Sequence, residues 1–374
     1  MTERTSPPFR ADHVGSLLRP PEVKAARERF ASGAISAPEL RAVEDEAIRA
    51  AVAMQEQVGL KLATDGEIRR QSWHMDFIYS LAGIVHAPTD VQAVEFHTLD
   101  GDTIISAQGS LRVEGPVSLE HTIFGEDFET LAAMTTTAVP KQTIPSVNMI
   151  YARGGRAAID EAAYPDLEQF WADLVTAYGQ ELVRLGELGC TYLQLDDTSL
   201  ASINDPQQRA KIAARGDDAD TMHLTFIRRL NDVIAQKPAG MAITTHMCRG
   251  NYRSSYSAEG SYDFVAEALF SELAVDGFFV EYDDERSGGF EPLRFVPKGK
   301  MVVLGLVTTK RGELETKDEL KRRIEEASAY VPVEQLCLSP QCGFASTLEG
   351  NDLSYDEQVE KLRLVVETAQ EVWC

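Results

Sequence analysis

The sequence lacks any run of about 20 apolar residues, the length a membrane-spanning helix needs, and its opening, MTERTSPPFRADHVGS, lacks the apolar core of a secretion signal. No membrane association is expected, and the chain reads as cytoplasmic. Basic residues are scarce: 36 Lys and Arg stand against 59 Asp and Glu, a formal net charge of −23 at pH 7. A field of that sign repels phosphate backbones and anionic lipid, so nucleic acid is excluded as a natural partner. Prolines number only 16 and no low-complexity tract interrupts the chain, which argues against disorder. Cysteine is sparse as well. The count is five, odd in a chain without an export signal, which points to free thiols or metal ligands rather than a disulfide framework.

What is present is a rhythm of short β-rich runs and longer helical patterns, the signature of parallel βα units. Candidate strands fall at 11–16, 61–67, 142–147, 191–196, 242–247, 278–283, 301–307 and 335–340. Amphipathic helices are expected at 36–59, 166–189, 218–236, 263–275, 316–331 and 354–373, several opening on Ser, Thr or Asp as caps require. Eight strands in 374 residues predict a single (β/α)8 TIM barrel over 1–374, without an internal domain boundary. The stretch from about 84 to 140 breaks the rhythm. There GDTIISAQGSLRVEGPVSLEH reads as an antiparallel hairpin with glycine turns, inserted near the barrel mouth.

In such a barrel the chemistry lies at the C-terminal ends of the strands. Polar residues at those ends are Ser16, Asp65, Glu67, Asp196, Asp197, His246, Cys248, Glu281 and Cys342. In ITTHMCRGN, His246 and Cys248 sit two apart on an extended run and so point the same way. With Glu281 and Cys342 they make a nitrogen, sulfur and oxygen set that suits zinc, the two thiolates arguing against magnesium or calcium. Ligands drawn from separate strands indicate a catalytic site rather than a structural knuckle. Gly343, after Cys342, is read as the bend that brings the sulfur to the metal. Cys190 and Cys337 read as small buried hydrophobes and Cys374 as inert. His13 is either a mouth residue or a core histidine, and His74, beside Trp73, either a substrate contact or a helix-surface residue.

The pieces HVGSLLRP, LATDGEIRR, LQLDDTSL, TTHMCRGN, FFVEYDDERSGGFEPL and LCLSPQCGFAS, in that order over nearly the whole chain, resemble the catalytic barrel of cobalamin-independent methionine synthase. The resemblance implies a zinc-dependent S-methyltransferase of the 5-methyltetrahydropteroyltriglutamate–homocysteine type, with His246, Cys248, Glu281 and Cys342 on the metal. It further implies that Ser16 contacts the carboxylate of homocysteine while Glu67 and Asp196 hold its ammonium group. A zwitterion needs donors at one end and carboxylates at the other, so the assignment is chemically consistent. Glu281 is expected to be the ligand that yields when the substrate sulfur arrives. For Glu67, an ion pair with Arg69 or Arg70 is the competing role.

Three features depart from the family. The chain has no room for the second, N-terminal barrel of full-length members. LGLVTTKRGELE offers Val, Thr and Lys where a loop histidine supplies a proton, and Asp197 stands where Glu is usual. The thiol half of the site is better kept than the methyl-donor half. Competing expectations are another zinc thiol alkyltransferase, such as an epoxyalkane:coenzyme M transferase, a metal-free decarboxylase-like barrel, and a zinc-binding protein without turnover. A sulfonate acceptor would call for Arg or Lys where Glu67 and Asp196 stand.

Overall fold

The structure, a computed structural model, describes residues 4–374, excepting the side chains of 88–92 and 107–109. Strands β1 (Leu62–Ala63), β2 (Ala82–His97), β3 (Thr103–Ser118), β4 (Val139–Pro145), β5 (Tyr192–Asp197), β6 (Ala242–Met247), β7 (Gly277–Glu281), β8 (Met301–Val307) and β9 (Leu336–Pro340) alternate with helices. Seven form one curled parallel sheet in the order β1-β4-β5-β6-β7-β8-β9, and β2 pairs with β3 alone. The run MVVLGLV is buried at every position, as a strand covered on both faces must be.

The expected first strand is not a strand. Segment 10–17 makes one parallel bridge, Ala11 with Leu338, and its Leu17 N–H reaches Gly66 O at 3.0 Å. The reason lies in where its carbonyls go. Lys141 Nζ takes His13 O at 2.6 Å, Gln194 Nε2 takes Val14 O at 2.6 Å and Thr64 Oγ1 takes Gly15 O at 2.7 Å. Side chains reaching across the sheet interior thus satisfy groups that a ladder would otherwise pair. Asp12, wholly buried, anchors the same segment: it accepts from Lys141 Nζ at 3.0 Å, Tyr192 Oη at 2.8 Å and Phe9 N at 3.1 Å. Removing either charge would strand the other in the interior.

The hairpin also differs from expectation. The whole of 103–118 is one strand, paired with the preceding 82–97 from Ala82↔Ser118 to His97↔Thr103. Its turn falls at Gly101, whose φ of +88° favours glycine. Two reciprocal backbone bonds, His97 N to Tyr256 O at 2.6 Å and Tyr256 N to His97 O at 3.0 Å, tie the hairpin to the loop after β6.

The helix expectations are met to within a few residues at most ends. Tyr355–Trp373 opens on a capping box, with Ser354 N donating to Glu357 Oε2 at 2.6 Å and Glu357 N to Ser354 Oγ at 3.2 Å. Among the described residues no helix is long and apolar enough to cross a membrane.

Candidate active site

His246, Cys248, Glu281 and Cys342 are all buried, and one ligand atom from each lies within 4.8 Å of the others. The edges of a regular tetrahedron are about 1.6 times its centre-to-vertex distance, so bonds of roughly 2.0–2.3 Å demand edges of roughly 3.3–3.8 Å. Cys248 Sγ lies 3.5 Å from Cys342 Sγ, and His246 Nε2 lies 3.4 Å from Glu281 Oε1. These two opposite edges fit a zinc-sized centre. The register explains the convergence: His246 pairs with Asp196 on one side and Phe279 on the other, two residues before Glu281. Cys248 continues the ladder beyond β6 through its N–H on Asp197 O at 3.2 Å.

The four groups are electrostatically coupled. The contact between the two sulfurs splits them: with burial it raises the Cys248 thiol well above its ordinary value, so that Cys248 keeps its proton, and it lowers Cys342, which accepts from it. Burial would lower His246, but the carboxylates of Asp196 and Glu281 outweigh it and raise the imidazole to about 10. Burial would raise Glu281, and His246 outweighs it in turn, holding the carboxyl below its usual range. His246 Nδ1 faces Asp196 Oδ1 at 3.3 Å, the second contact that fixes a ligand ring and leaves Nε2 for a metal.

Three of the four, His246, Cys248 and Cys342, line a cavity of about 320 Å³, together with Ser16, Glu67 and Asp196. Glu281 is not on its wall; it lies behind the set, with Arg249 N donating to its Oε1 at 3.3 Å. Apart from Glu281, the residues singled out for acceptor and metal line one floor. Glu67 has a φ of +55°, a strained region for a side chain of its size, held by its N–H on Asp65 Oδ1 at 2.8 Å. Its Oε1 accepts from Thr143 Oγ1 at 2.8 Å and faces Arg70 Nη1 at 3.3 Å. The ion-pair role and the cavity-lining role thus coexist, and the partner is Arg70. Arg69 instead joins Asp127 at 2.9 Å and Asp45. Burial raises the Glu67 carboxyl, Arg70 opposes this, and Asp196 adds to the rise. Both hydrogen-bond partners of the Asp196 carboxylate, Gln194 Nε2 at 2.7 Å and His246, fall on Oδ1, so among the described residues Oδ2 takes no protein donor.

Gly343 serves a purpose other than the expected bend. It is absent from the positive-φ glycines, and a Cβ there would lie 1.9 Å from Ser16 Oγ. The glycine makes room for Ser16, whose Oγ also accepts from Ala345 N at 3.4 Å. Asp197 is consumed locally: Oδ1 takes Ser199 N, Ser199 Oγ and Leu200 N, while Oδ2 takes Ser146 Oγ and Asn148 Nδ2. It shapes the turn beside Asp196. Asp65 likewise serves Glu67 rather than the cavity.

His13 is a core residue: Nε2 bonds Gln55 Oε1 at 2.8 Å, and burial pushes the ring down to about 3. His74 is neither exposed nor on the cavity wall; it is buried and stacked 4.2 Å from Trp73, which does line the cavity. Burial pushes Cys190 and Cys337 each up to about 12, so both remain thiols.

Sequence reasoning missed the second half of the cavity. Phe96 and its neighbours on β2 wall it, opposite Met149, Arg153, Met222 and Phe226. It also missed Arg19, which donates to the carbonyls of Glu67 and Arg70, each at 2.9 Å, and so holds the strained turn. The arginine of HVGSLLRP was the available signal.

The pattern of the family described as cobalamin-independent synthase, catalytic domain, matches residues 9–371. The chain is 46% identical over 373 residues to the uncharacterised Bacillus subtilis protein YxjG, covering 99% of this chain and 96% of that one. It is 39% identical to a Listeria monocytogenes structure assigned as a vitamin-B12 independent methionine synthase, with a TM-score of 0.78 over 99% of this chain and 100% of that one. The B12-independent methionine synthase of Shewanella sp. W3-18-1, solved with selenomethionine, shares the fold at 20% identity and a TM-score of 0.71, covering 97% of each chain. On the extent of these matches, the chain belongs to the cobalamin-independent methionine synthase family.

Proposed function

We propose that the protein transfers a methyl group to the thiol of homocysteine, forming methionine, at a zinc ion held by His246, Cys248, Cys342 and Glu281. The observation that carries this reading is the placement of the buried four-ligand set at the floor of a cavity also lined by Ser16, Glu67 and Asp196. Membership of a methionine synthase family supports it. In the same reading the whole chain is one (β/α)8 barrel, with segment 10–17 in the eighth position.

A zinc ion there would supply the Lewis acidity that keeps a bound thiol deprotonated at neutral pH, where a free thiol of pKa about 8.5 is mostly protonated. The protein's own groups do the rest. Glu67 and Asp196 grip the ammonium of the amino acid, and Ser16, seated by Gly343, meets its carboxylate, so the thiol points at the ligand set. Glu281, off the cavity wall, would be the ligand to give way to a substrate sulfur, and its Oε1 accepts from the Arg249 N–H. Two carboxylates in the acceptor pocket favour an ammonium over the sulfonate of coenzyme M.

The test is Cys342→Ser. Zinc content by elemental analysis is expected to fall, and methionine formation from homocysteine to disappear with it. Methionine formation that persists in zinc-free protein would overturn the reading.

A further inference from the structure

Glu67 and Cys342 stand at opposite edges of the curled sheet: the turn carrying Glu67 follows β1, and Cys342 follows β9. Asp196, His246, Cys248 and Glu281 lie on neighbouring strands, whose ladders fix their separations. Among the described residues no ladder joins β1 to β9, so the sheet itself does not set the distance from Glu67 to Cys342. Segment 10–17 fills this seam. Asp12 N donates to Leu338 O at 3.0 Å and Leu338 N to Arg10 O at 2.8 Å on the β9 side, and Leu17 N donates to Gly66 O at 3.0 Å on the β1 side.

Just past that segment comes Arg19, only 5% exposed, and its guanidinium straddles the seam. Nη2 donates to Glu67 O and Arg70 O, each at 2.9 Å, while Nη1 donates to Ala345 O at 3.0 Å and Thr347 O at 2.9 Å. One nitrogen serves the turn of Glu67, the other the loop leading from Cys342. All four bonds go to backbone oxygens, so the cation holds two main-chain segments together rather than neutralising a side chain. The fork is planar and rigid. A lysine ammonium, a point charge with three donors, cannot reproduce it.

The loop pinned in this way is part of the site. Thr347 lines the cavity, Ala345 N meets Ser16 Oγ at 3.4 Å, Phe344 N donates to Ser16 O at 2.9 Å, and Ser346 Oγ lies 3.8 Å from Cys342 Sγ. An amino acid that places its ammonium on Glu67 and Asp196 and its thiol at the ligand set has to reach both edges at once. The separation of the edges is therefore read as the length of the substrate between its charged end and its sulfur. Cysteine, shorter by one methylene, cannot satisfy both ends while that separation is fixed. Once the edges are free to approach, it can.

Resting on the thiol-methylation reading above, we propose that Arg19 is a positioning residue that gauges the acceptor's chain length: by tying the Glu67 turn to the Cys342 loop across the seam, it makes the site select homocysteine over cysteine. Arg19 touches neither substrate nor metal in this scheme. It acts through the two segments it holds.

The experiment titrates cobalt-substituted wild type, Arg19→Met and Arg19→Lys with homocysteine, cysteine and 1-propanethiol, and reads binding from the visible spectrum of the metal. One methylene commands roughly 10–200-fold in such a site, and the preference of the wild type for homocysteine over cysteine is expected within that range. In both variants that preference should fall about tenfold, while 1-propanethiol, which has only the metal end, binds as in the wild type. The ratio is the readout because a general loss of stability weakens both amino acids alike and leaves it unchanged. Should Arg19→Met not fold, Arg19→Lys, which keeps the charge and the apolar stem, decides alone. An unchanged ratio, or 1-propanethiol weakened as much as homocysteine, would overturn the Arg19 assignment and leave thiol methylation standing. If homocysteine leaves the wild-type spectrum unchanged, thiol methylation itself fails and the gauge falls with it.

Discussion

The two halves of the cavity are built by different means. On the thiol side every functional group but Ser16 sits at or just beyond the end of a parallel strand, and the ladder fixes the metal-ligand side: Asp196 opposite His246, His246 opposite Phe279, Cys248 on Asp197 O. On the far side the wall is a two-stranded hairpin and helix faces, held by the His97–Tyr256 bonds, the Phe96–Tyr252 contact and the hydrogen bond of Val117 N to Tyr164 Oη at 2.6 Å. A sheet of seven strands positions its side chains with little freedom, whereas a hairpin outside that sheet can be rebuilt without disturbing the metal floor. The comparison teaches which wall of the cavity the parallel sheet fixes and which it leaves free to vary.

Three measurements break or sharpen it. The largest effect is expected at Asp196, which contacts His246 and, on the proposed function, the substrate's ammonium group. Asp196→Asn keeps an oxygen for His246 Nδ1 but loses the charge facing the ammonium, so homocysteine affinity should fall by about 100-fold, on the order of 3 kcal/mol, while zinc content holds. Equal loss of both, read by thiol titration and metal analysis, would mean that the floor is not rigid.

The second concerns the hairpin side. Glu181, in the helix Leu167–Glu187, accepts from Ile123 N at 3.1 Å and Phe124 N at 3.4 Å, just after the hairpin returns. Burial raises its carboxyl to about 7, against the two N–H bonds that lower it. A carboxyl raised in the folded state binds more protons there than when unfolded, so its contribution to stability is present at low pH and is lost as pH rises from the unfolded value of 4.5 to about 7. Glu181→Gln retains an acceptor and removes the ionisation. It should flatten the stability profile between pH 5 and 7 by on the order of 2 kcal/mol in denaturant titrations. An unchanged slope would place the ionisation elsewhere.

The smallest effect is expected at Gly343→Ala. The added methyl displaces Ser16 Oγ, costing about 1 kcal/mol of stability and raising the KM for homocysteine while leaving the donor's KM unchanged. Combining it with Ser16→Gly should restore stability and leave the KM high. A shift in donor KM would join the two halves that the comparison separates.

Most of the strands and the six expected helices were legible because their periodicity and caps are local: MVVLGLV is apolar throughout, and Ser354 stands three residues before Glu357. The first strand was misread because its alternation suits a ladder, while the partners that satisfy its carbonyls, Lys141, Gln194 and Thr64, lie far along the chain. The hairpin was misjudged because glycines inside a long twisted strand look like turns; only Gly101 has a turn to make. The residues of the thiol floor were visible for a chemical reason. Cysteine, histidine and carboxylates at the ends of apolar runs are conspicuous, and their order along the chain matched a known pattern.

The sequence by itself determined the strand–helix alternation, the excess of negative charge and the identity of the residues that meet at the floor, since each is written in neighbouring letters or in a fixed order of motifs. Only the tertiary structure decided that Glu281 lies behind the cavity, that Gly343 makes room for Ser16, and that Phe96 walls the far half of the cavity. These are contacts between segments far apart in the chain, fixed by how the curled sheet and the hairpin pack together, and no local pattern encodes them.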